Sequence, residues 1–191
     1  MSHKIRLAKS SDDKLISVIA GRNFFMKFVH LHTHSHYSLL DGLSKVKDMV
    51  KLAKEKGMTA LALTDHGAMY GAVEFYMACK KNDINPIIGV EAYIANRSRF
   101  QKEPQIDNKR YHLTLLAKNN AGYQNLIKLT TAAHVEGYYY KPRMDKDLLR
   151  KHAEGLIALS GCLAGELGRA ILSENKEKAE AVIREYQSIF G

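Results

Sequence analysis

His30-Leu-His-Thr-His-Ser-His-Tyr-Ser-Leu-Leu-Asp41 sets four histidines at alternate positions, directly after the apolar pair Phe28-Val29. Period-two spacing on a strand sends His30, His32, His34 and His36 to one side, so the segment reads as a strand leaving a core and entering a site. Taken alone, the segment fits a histidine-rich surface strand just as well. What favours a site is its company downstream: Thr64-Asp65-His66-Gly67, Gly89-Val90-Glu91, Tyr111-His112-Leu113 and Ser160-Gly161-Cys162. All but the His112 segment place a donor side chain at the end of a short apolar run.

From Phe28 onward strand and helix patterns alternate. Leu43, Val46, Met49, Val50 and Ala53 recur at helical spacing among lysines, with Gly57 as a stop signal, which predicts a surface helix over 44–56. Ala60 to Thr64 is an unbroken apolar run suited to a strand buried on both faces. A helix over 72–82, a strand over 86–95, a basic loop over 96–110 and a strand over 112–117 follow. A helix near 123–132, an aromatic turn over 138–143, a short helix near 145–151 and a strand over 156–159 complete the series. Ala179, Val182, Ile183, Tyr186, Ile189 and Phe190 mark a last amphipathic helix. This alternation argues for an α/β fold with parallel pairing, as a barrel or a doubly wound sheet. In a barrel the loops after the strands build the site, which would gather His32, His34, Asp65, His66 and Cys162 on one rim.

Composition bounds the partners. The 191 residues carry a formal charge of +9, with 26% charged and 46% hydrophobic residues, a globular mix suited to a polyanion such as nucleic acid. Residues 1 to 25 are polar and basic, with no pattern that demands burial, and are expected to form a poorly ordered extension ahead of a domain over 26–191. The apolar run Leu15 to Gly21 is too short to span a membrane. Cys79 and Cys162, with no secretory framework, point to a reducing cytoplasm.

Each donor has a structural alternative. Asp41 could cap the helix that follows, and His66 could be a turn residue before Gly67. His112 opens its strand, so the barrel rule does not select it and solvent exposure is the simpler reading. Glu91, amid apolar neighbours, would be an expensive buried carboxylate without a cation nearby. Cys162 could be a small packed residue, which is the better reading for Cys79. Imidazole, carboxylate and thiolate together are the donors that hold Zn²⁺ and related ions.

The segments 28–42, 64–67, 71–76, 86–93, 98–100, 112–118, 122–126, 141–143 and 154–162 resemble the N-terminal PHP domain of the bacterial DNA polymerase III alpha subunit family. The His-x-His start and Thr64-Asp-His-Gly67 are shared with PHP phosphatases generally, whereas His112 to Lys118 and Ser160-Gly-Cys162 are similar to the polymerase branch. The resemblance implies a distorted (β/α)7 TIM-like barrel, incomplete at the C-terminus, with up to three divalent ions. These would be Zn²⁺ in the first place, with Mn²⁺ or Mg²⁺ as alternatives. It implies His32, His34, Asp41, His66, Glu91, His112 and Cys162 as ligands, with Glu91 bridging, and a 3′-5′ exonuclease role in a DNA-replicating polymerase. The implied partners are DNA, a sliding clamp, a clamp loader and a proofreading subunit, with no membrane. The closing Asp-x-His pair and every polymerase carboxylate are missing, so the chain alone is expected to lack polymerase activity, bind metal weakly and hydrolyse phosphoesters poorly. A free-standing phosphoesterase of the histidinol-phosphatase type and a metal-free structural module are the other classes. Arg99, Lys141 and Arg143 are the candidate DNA contacts, against the alternative of solvated loops.

Overall fold

A computed structural model describes residues 28–39 and 41–191. The expectation for residues 1 to 25 lies outside the described residues. The fold is mixed α/β. The strands are β1 (Ala60–Leu63), β2 (Asn85–Ala95), β3 (Arg110–Ala117), β4 (Tyr138–Tyr139), β5 (Lys141–Met144) and β6 (Leu156–Leu159). The helices are α1 (Val46–Glu55), α2 (Ala72–Lys81), α3 (Asn120–Val135), α4 (Lys146–Lys151), α5 (Glu166–Leu172) and α6 (Lys176–Phe190).

The eleven-residue β2 is the spine. Its first half carries β1 in parallel, with Leu63 opposite Ile88. Its last residues carry β5, also parallel, with Tyr93 opposite Arg143. Along Gly89 to Ala95 runs β3, which is antiparallel, and β6 is in turn antiparallel to β3. The sheet order is β4-β5-β2-β3-β6, with β1 attached to β2. The expectation of uniformly parallel pairing is therefore corrected at β3, and the reversal matters for the site.

Two apolar clusters flank this sheet. Val46 and Val50 of α1, at i and i+4, meet Leu61 and Leu63 of β1 with Phe75 and Cys79 of α2. This packing makes Cys79 a core residue, and burial pushes its thiol up to about 11. Val90, Ile94, Leu115, Leu126, Leu129 and Leu149 form the larger cluster between β2, β3, α3 and α4. Asn119 caps α3 by accepting from the Gly122 amide at 3.0 Å, and Asp145 caps α4 through Leu148 at 3.0 Å.

Two local expectations are revised. Residues 28–35 form no regular strand: they lie beside β1, held by Ala62 N–H donating to the His30 carbonyl and Thr64 N–H to the Thr33 carbonyl, both at 2.9 Å. The step from one bond to the next spans three residues on the histidine side and two on β1, so the period-two alternation breaks. The aromatic turn is a tight hairpin, β4 to β5, whose second strand joins β2 despite Pro142. Helix α5, short and interrupted by Gly168, had no readable pattern.

The basic loop 96–109 is folded inward. The Arg143 side chain is fully buried and donates to four carbonyls: Gly137 (3.0 Å), Asp107 (2.8 Å), Arg99 (3.0 Å) and Gln101 (2.9 Å). Arg99, 8% exposed, pairs with Asp145 at 2.9 Å and Glu136 at 2.7 Å. Arg97 bonds Asp107 through Nε at 3.0 Å and Nη2 at 2.7 Å. Arg99 and Arg143 are thus corrected from DNA contacts to internal ties, because nearby carboxylates and carbonyls already use their donors. Lys141 is half-buried, its Nζ 5.8 Å from the Tyr93 ring centre.

Removing the buried guanidinium leaves four carbonyls without that donor. Arg143→Ala should lower unfolding stability by about 3 kcal/mol or more, and Arg143→Lys should recover only part, since an ammonium cannot span the same fork. Urea denaturation reads this, and an unchanged midpoint in the alanine variant would refute the tie. Burial pushes the Asp145 carboxyl up, but the Arg99 and Leu148 amides and the Arg99 guanidinium outweigh it and hold it low. A carboxyl depressed in the folded state adds stability above its unfolded value of about 4, and that stability is lost as pH falls through the lower folded value. Asp145→Asn should therefore flatten the acid limb of a midpoint-against-pH curve below about pH 4, while a parallel shift of the whole curve would contradict the assignment.

Candidate metal centre

Glu91 lies three residues beyond the point where β1 ends against β2, so its side chain rises at the level of the segments that leave β1 and β6. It is 2% exposed. Four imidazoles surround it. His32 Nε2 stands 2.9 Å and His34 Nε2 3.5 Å from Oε2, whereas His66 Nδ1 at 2.9 Å and His112 Nδ1 at 2.7 Å face Oε1. Each carboxylate oxygen thus serves its own pair of rings. Burial alone would raise the Glu91 carboxyl, but bonds from His112, His32, His34 and His66 outweigh it and keep it well below the usual carboxylate range.

The other two expected donors extend this centre on opposite sides. Asp41, largely exposed, meets His66 Nε2 at 2.7 Å, and that bond holds its carboxyl below the ordinary value. Cys162 Sγ is 3.6 Å from His112 Nδ1. The Glu91 bond raises His66 above its ordinary value, against burial, with Asp41 adding to the rise. All seven side chains form one connected cluster running Asp41, His66, Glu91, then His32, His34, His112 and Cys162. His30 instead sets its ring edge-on to Phe28, and His36 packs on Tyr37.

Local backbone explains the convergence. Because β3 runs opposite to β2, its beginning lies at the rim where the parallel strands end, which brings His112 across from Tyr93 and near Glu91. Gly67 (φ +62°) turns the chain after His66 where a Cβ would meet the Pro142 and Tyr93 side chains at 2.8 and 3.0 Å. The Gly67 amide donates to the Glu91 carbonyl at 2.8 Å and the Glu91 amide to the Asp65 carbonyl at 3.0 Å, fixing His66 beside Glu91. Gly161 (φ +79°), close over the His112 carbonyl, makes the turn that brings in Cys162.

Asp65, expected on the rim with the donors, is corrected to a supporting role, and Thr64 and Tyr93 join it there. Asp65, 2% exposed, is not aimed at the cluster: it accepts from the Ser35 amide (2.6 Å), the Ser35 hydroxyl (2.8 Å) and the Ser38 hydroxyl (2.7 Å), pinning the loop that carries His34. Thr64 Oγ1 donates to the Thr33 carbonyl at 3.0 Å, accepts from the Thr33 amide at 3.0 Å, and lies 2.9 Å from His32 Nδ1. Tyr93, nearly buried, stacks on His66 and meets His112 edge-on. The readable signal was the polar Thr64-Asp65 pair closing an apolar strand, with Ser35 and Ser38 three residues apart.

The chemistry of the donor set tests whether a cation fits. The Thr64 and Thr114 hydroxyl oxygens lie 2.9 and 3.4 Å from His32 Nδ1, which leaves His32 Nε2 to face the Glu91 carboxylate at 2.9 Å. His32, His34 and Glu91 each turn a donor atom inward, all within 4.8 Å of one another. Imidazole, carboxylate and thiolate are donors suited to divalent transition ions.

Residues 30–191 match the family described as the PHP domain. The DNA polymerase III subunit alpha of Treponema pallidum is 53% identical over 167 residues, which cover 87% of this chain and 14% of that protein. The subunit of the same description from Thermus aquaticus is 51% identical over 170 residues, again 87% and 14%. The chain thus spans a small part of the length of these relatives. An amidohydrolase from Chromobacterium violaceum superimposes with a TM-score of 0.39 at 18% identity, covering 76% of this chain and 38% of that one, too loosely to decide whether the sheet belongs to a barrel. Among the described residues no helix is long and apolar enough to cross a membrane.

Loss of a hydrogen-bonding group behind a ligand weakens metal binding by about 10- to 100-fold. Thr64→Val should do so here by freeing the His32 ring, as read by competition with a calibrated chelator. Unaltered affinity would remove Thr64 from the support of the site.

Proposed function

This chain belongs to the PHP domain family, and we propose that it is the metal-holding PHP region of a DNA polymerase III alpha subunit, acting on phosphodiester ends. The observation that carries the reading is the buried Glu91 carboxylate, with a separate histidine pair on each oxygen. Such a carboxylate can be shared between two cations. His32 and His34 would hold one side, and His66, His112, Asp41 and Cys162 the other. Zn²⁺ suits the imidazole and thiolate donors, with Mn²⁺ or Mg²⁺ as the alternatives. The chemistry supplied by such ions is Lewis acidity toward phosphoryl oxygens and activation of water. The chain's own residues orient: Thr64 fixes the His32 ring, Asp65 fixes the histidine loop, and Tyr93 packs against His66 and His112.

Identity of 53% to a polymerase subunit over 87% of this chain favours the polymerase setting over a free-standing phosphoesterase or a metal-free module. On this reading the sheet is part of a distorted (β/α)7 barrel. Nucleotide addition belongs to the remainder of the polymerase, and a 3′-5′ exonuclease belongs to this region. Its setting is the cytoplasm, with DNA, sliding clamp, clamp loader and proofreading subunit as partners.

The test loads the 191-residue chain with Zn²⁺ or Mn²⁺, counts bound ions by mass spectrometry, and follows single-stranded DNA from its 3′ end. At least one ion per chain is expected, with slow 3′ hydrolysis, and Glu91→Gln should remove both. A chain that retains no ion, or hydrolysis indifferent to Glu91→Gln, would sink the reading.

A further inference from the structure

Beside His112 the surface falls into a recess of about 320 Å³ whose walls include Lys109, Arg110, His112, Ala164 and Arg169, and no carboxylate. Arg110 and His112 are two residues apart on β3, so both stand on the face that bears the cluster, about 7 Å apart along the strand. The Arg110 guanidinium lies 5.4 Å from the Tyr93 ring centre, and Lys141 Nζ approaches the same ring at 5.8 Å. Tyr93 in turn touches His66 and His112, so these cations sit next to the metal centre.

Their bonding differs from that of the neighbouring loop. Arg97 and Arg99 are neutralised by Glu103, Asp107, Glu136 and Asp145. Arg110 donates once, from Nη1 to the Asn108 carbonyl at 2.9 Å, and its buried Nε has no partner. Among the described residues, Lys109, Arg110, Lys141 and Arg169 form no ion pair with a carboxylate. Positive charge gathered without counter-charge beside a phosphoester site supplies attraction for a second anion.

We propose that this recess is a second anion subsite, taking the backbone phosphate next to the one at the metal centre. It thereby selects a polynucleotide end over an isolated phosphomonoester. Arg110 is the fork for that phosphate, with Arg169 and Lys109 across the recess. Tyr93 faces both Arg110 and His112 and so joins the recess to the cluster. The proposal rests on the phosphoester reading of the cluster, so its test is run without metal.

Fluorescence anisotropy with a labelled oligothymidylate, in chelator and across a salt series, reads the subsite directly. Arg110→Gln and Arg169→Gln should each weaken binding roughly fivefold and lower the slope of log affinity against log salt by about 0.7, the value for one lost single-strand phosphate contact. Arg110→Lys should restore most of the slope, and metal uptake by all three variants should match the unaltered chain. Thermal unfolding checks each variant. If Arg110→Gln fails to fold, Arg169→Gln, exposed on α5, carries the comparison. An unchanged slope in the folded variants overturns the subsite. A reduced slope in a chain that takes up no metal overturns the metal reading and leaves the subsite standing.

Discussion

A carboxylate withdrawn from water must be given compensating charge where it sits, and Glu91 is withdrawn almost completely. Among the described residues no lysine or arginine is its partner. Four imidazole rings surround it instead. The sheet therefore holds a carboxylate faced by imidazoles, a donor set that suits a divalent cation. A structural ion pair would use a fixed cation, as Arg99 and Asp145 do only one strand away.

Building this around Glu91 depends on strand direction. Parallel strands deliver the residues that follow them, which accounts for His66 after β1 and Cys162 after β6. They could not have delivered His112, which lies at the beginning of its strand. Reversing β3 turns a strand's beginning into a rim position, and β6, antiparallel to β3, is thereby returned to the common direction. One reversed strand thus brings candidate donors from both ends of the β3 to β6 segment to one rim.

Much of this was legible in the chain, for identifiable reasons. The His-x-His segment and Thr64-Asp65-His66 announce themselves because donors rarely crowd the end of an apolar run. Glu91 does so because a carboxylate inside such a run needs a partner. What was not legible depends on tertiary direction and partner geometry. Nothing local to Arg110–Ala117 reveals that the strand runs backwards, and Pro142 reads as a turn breaker although it sits in β5. The loop 96–109 looks basic and solvated in sequence. Its acids, Glu103 and Asp107, were visible, but their convergence on Arg97 and the reach of Arg143 into four carbonyls were not.

The distribution of cations follows from the same constraint. Arginines near carboxylates within the loop and on α4 are neutralised there, and so add little field beyond their own contacts. Those on the first residues of β3 and on α5 flank a centre that already concentrates acceptors, yet none of them has been drawn onto Asp41 or Glu91. Tyr93 lies beside both: the Arg110 guanidinium stands 5.4 Å from its ring centre, and the ring meets His112 edge-on. On the proposed reading, a guanidinium held at the Tyr93 ring keeps its charge for an anion instead of pairing with Glu91.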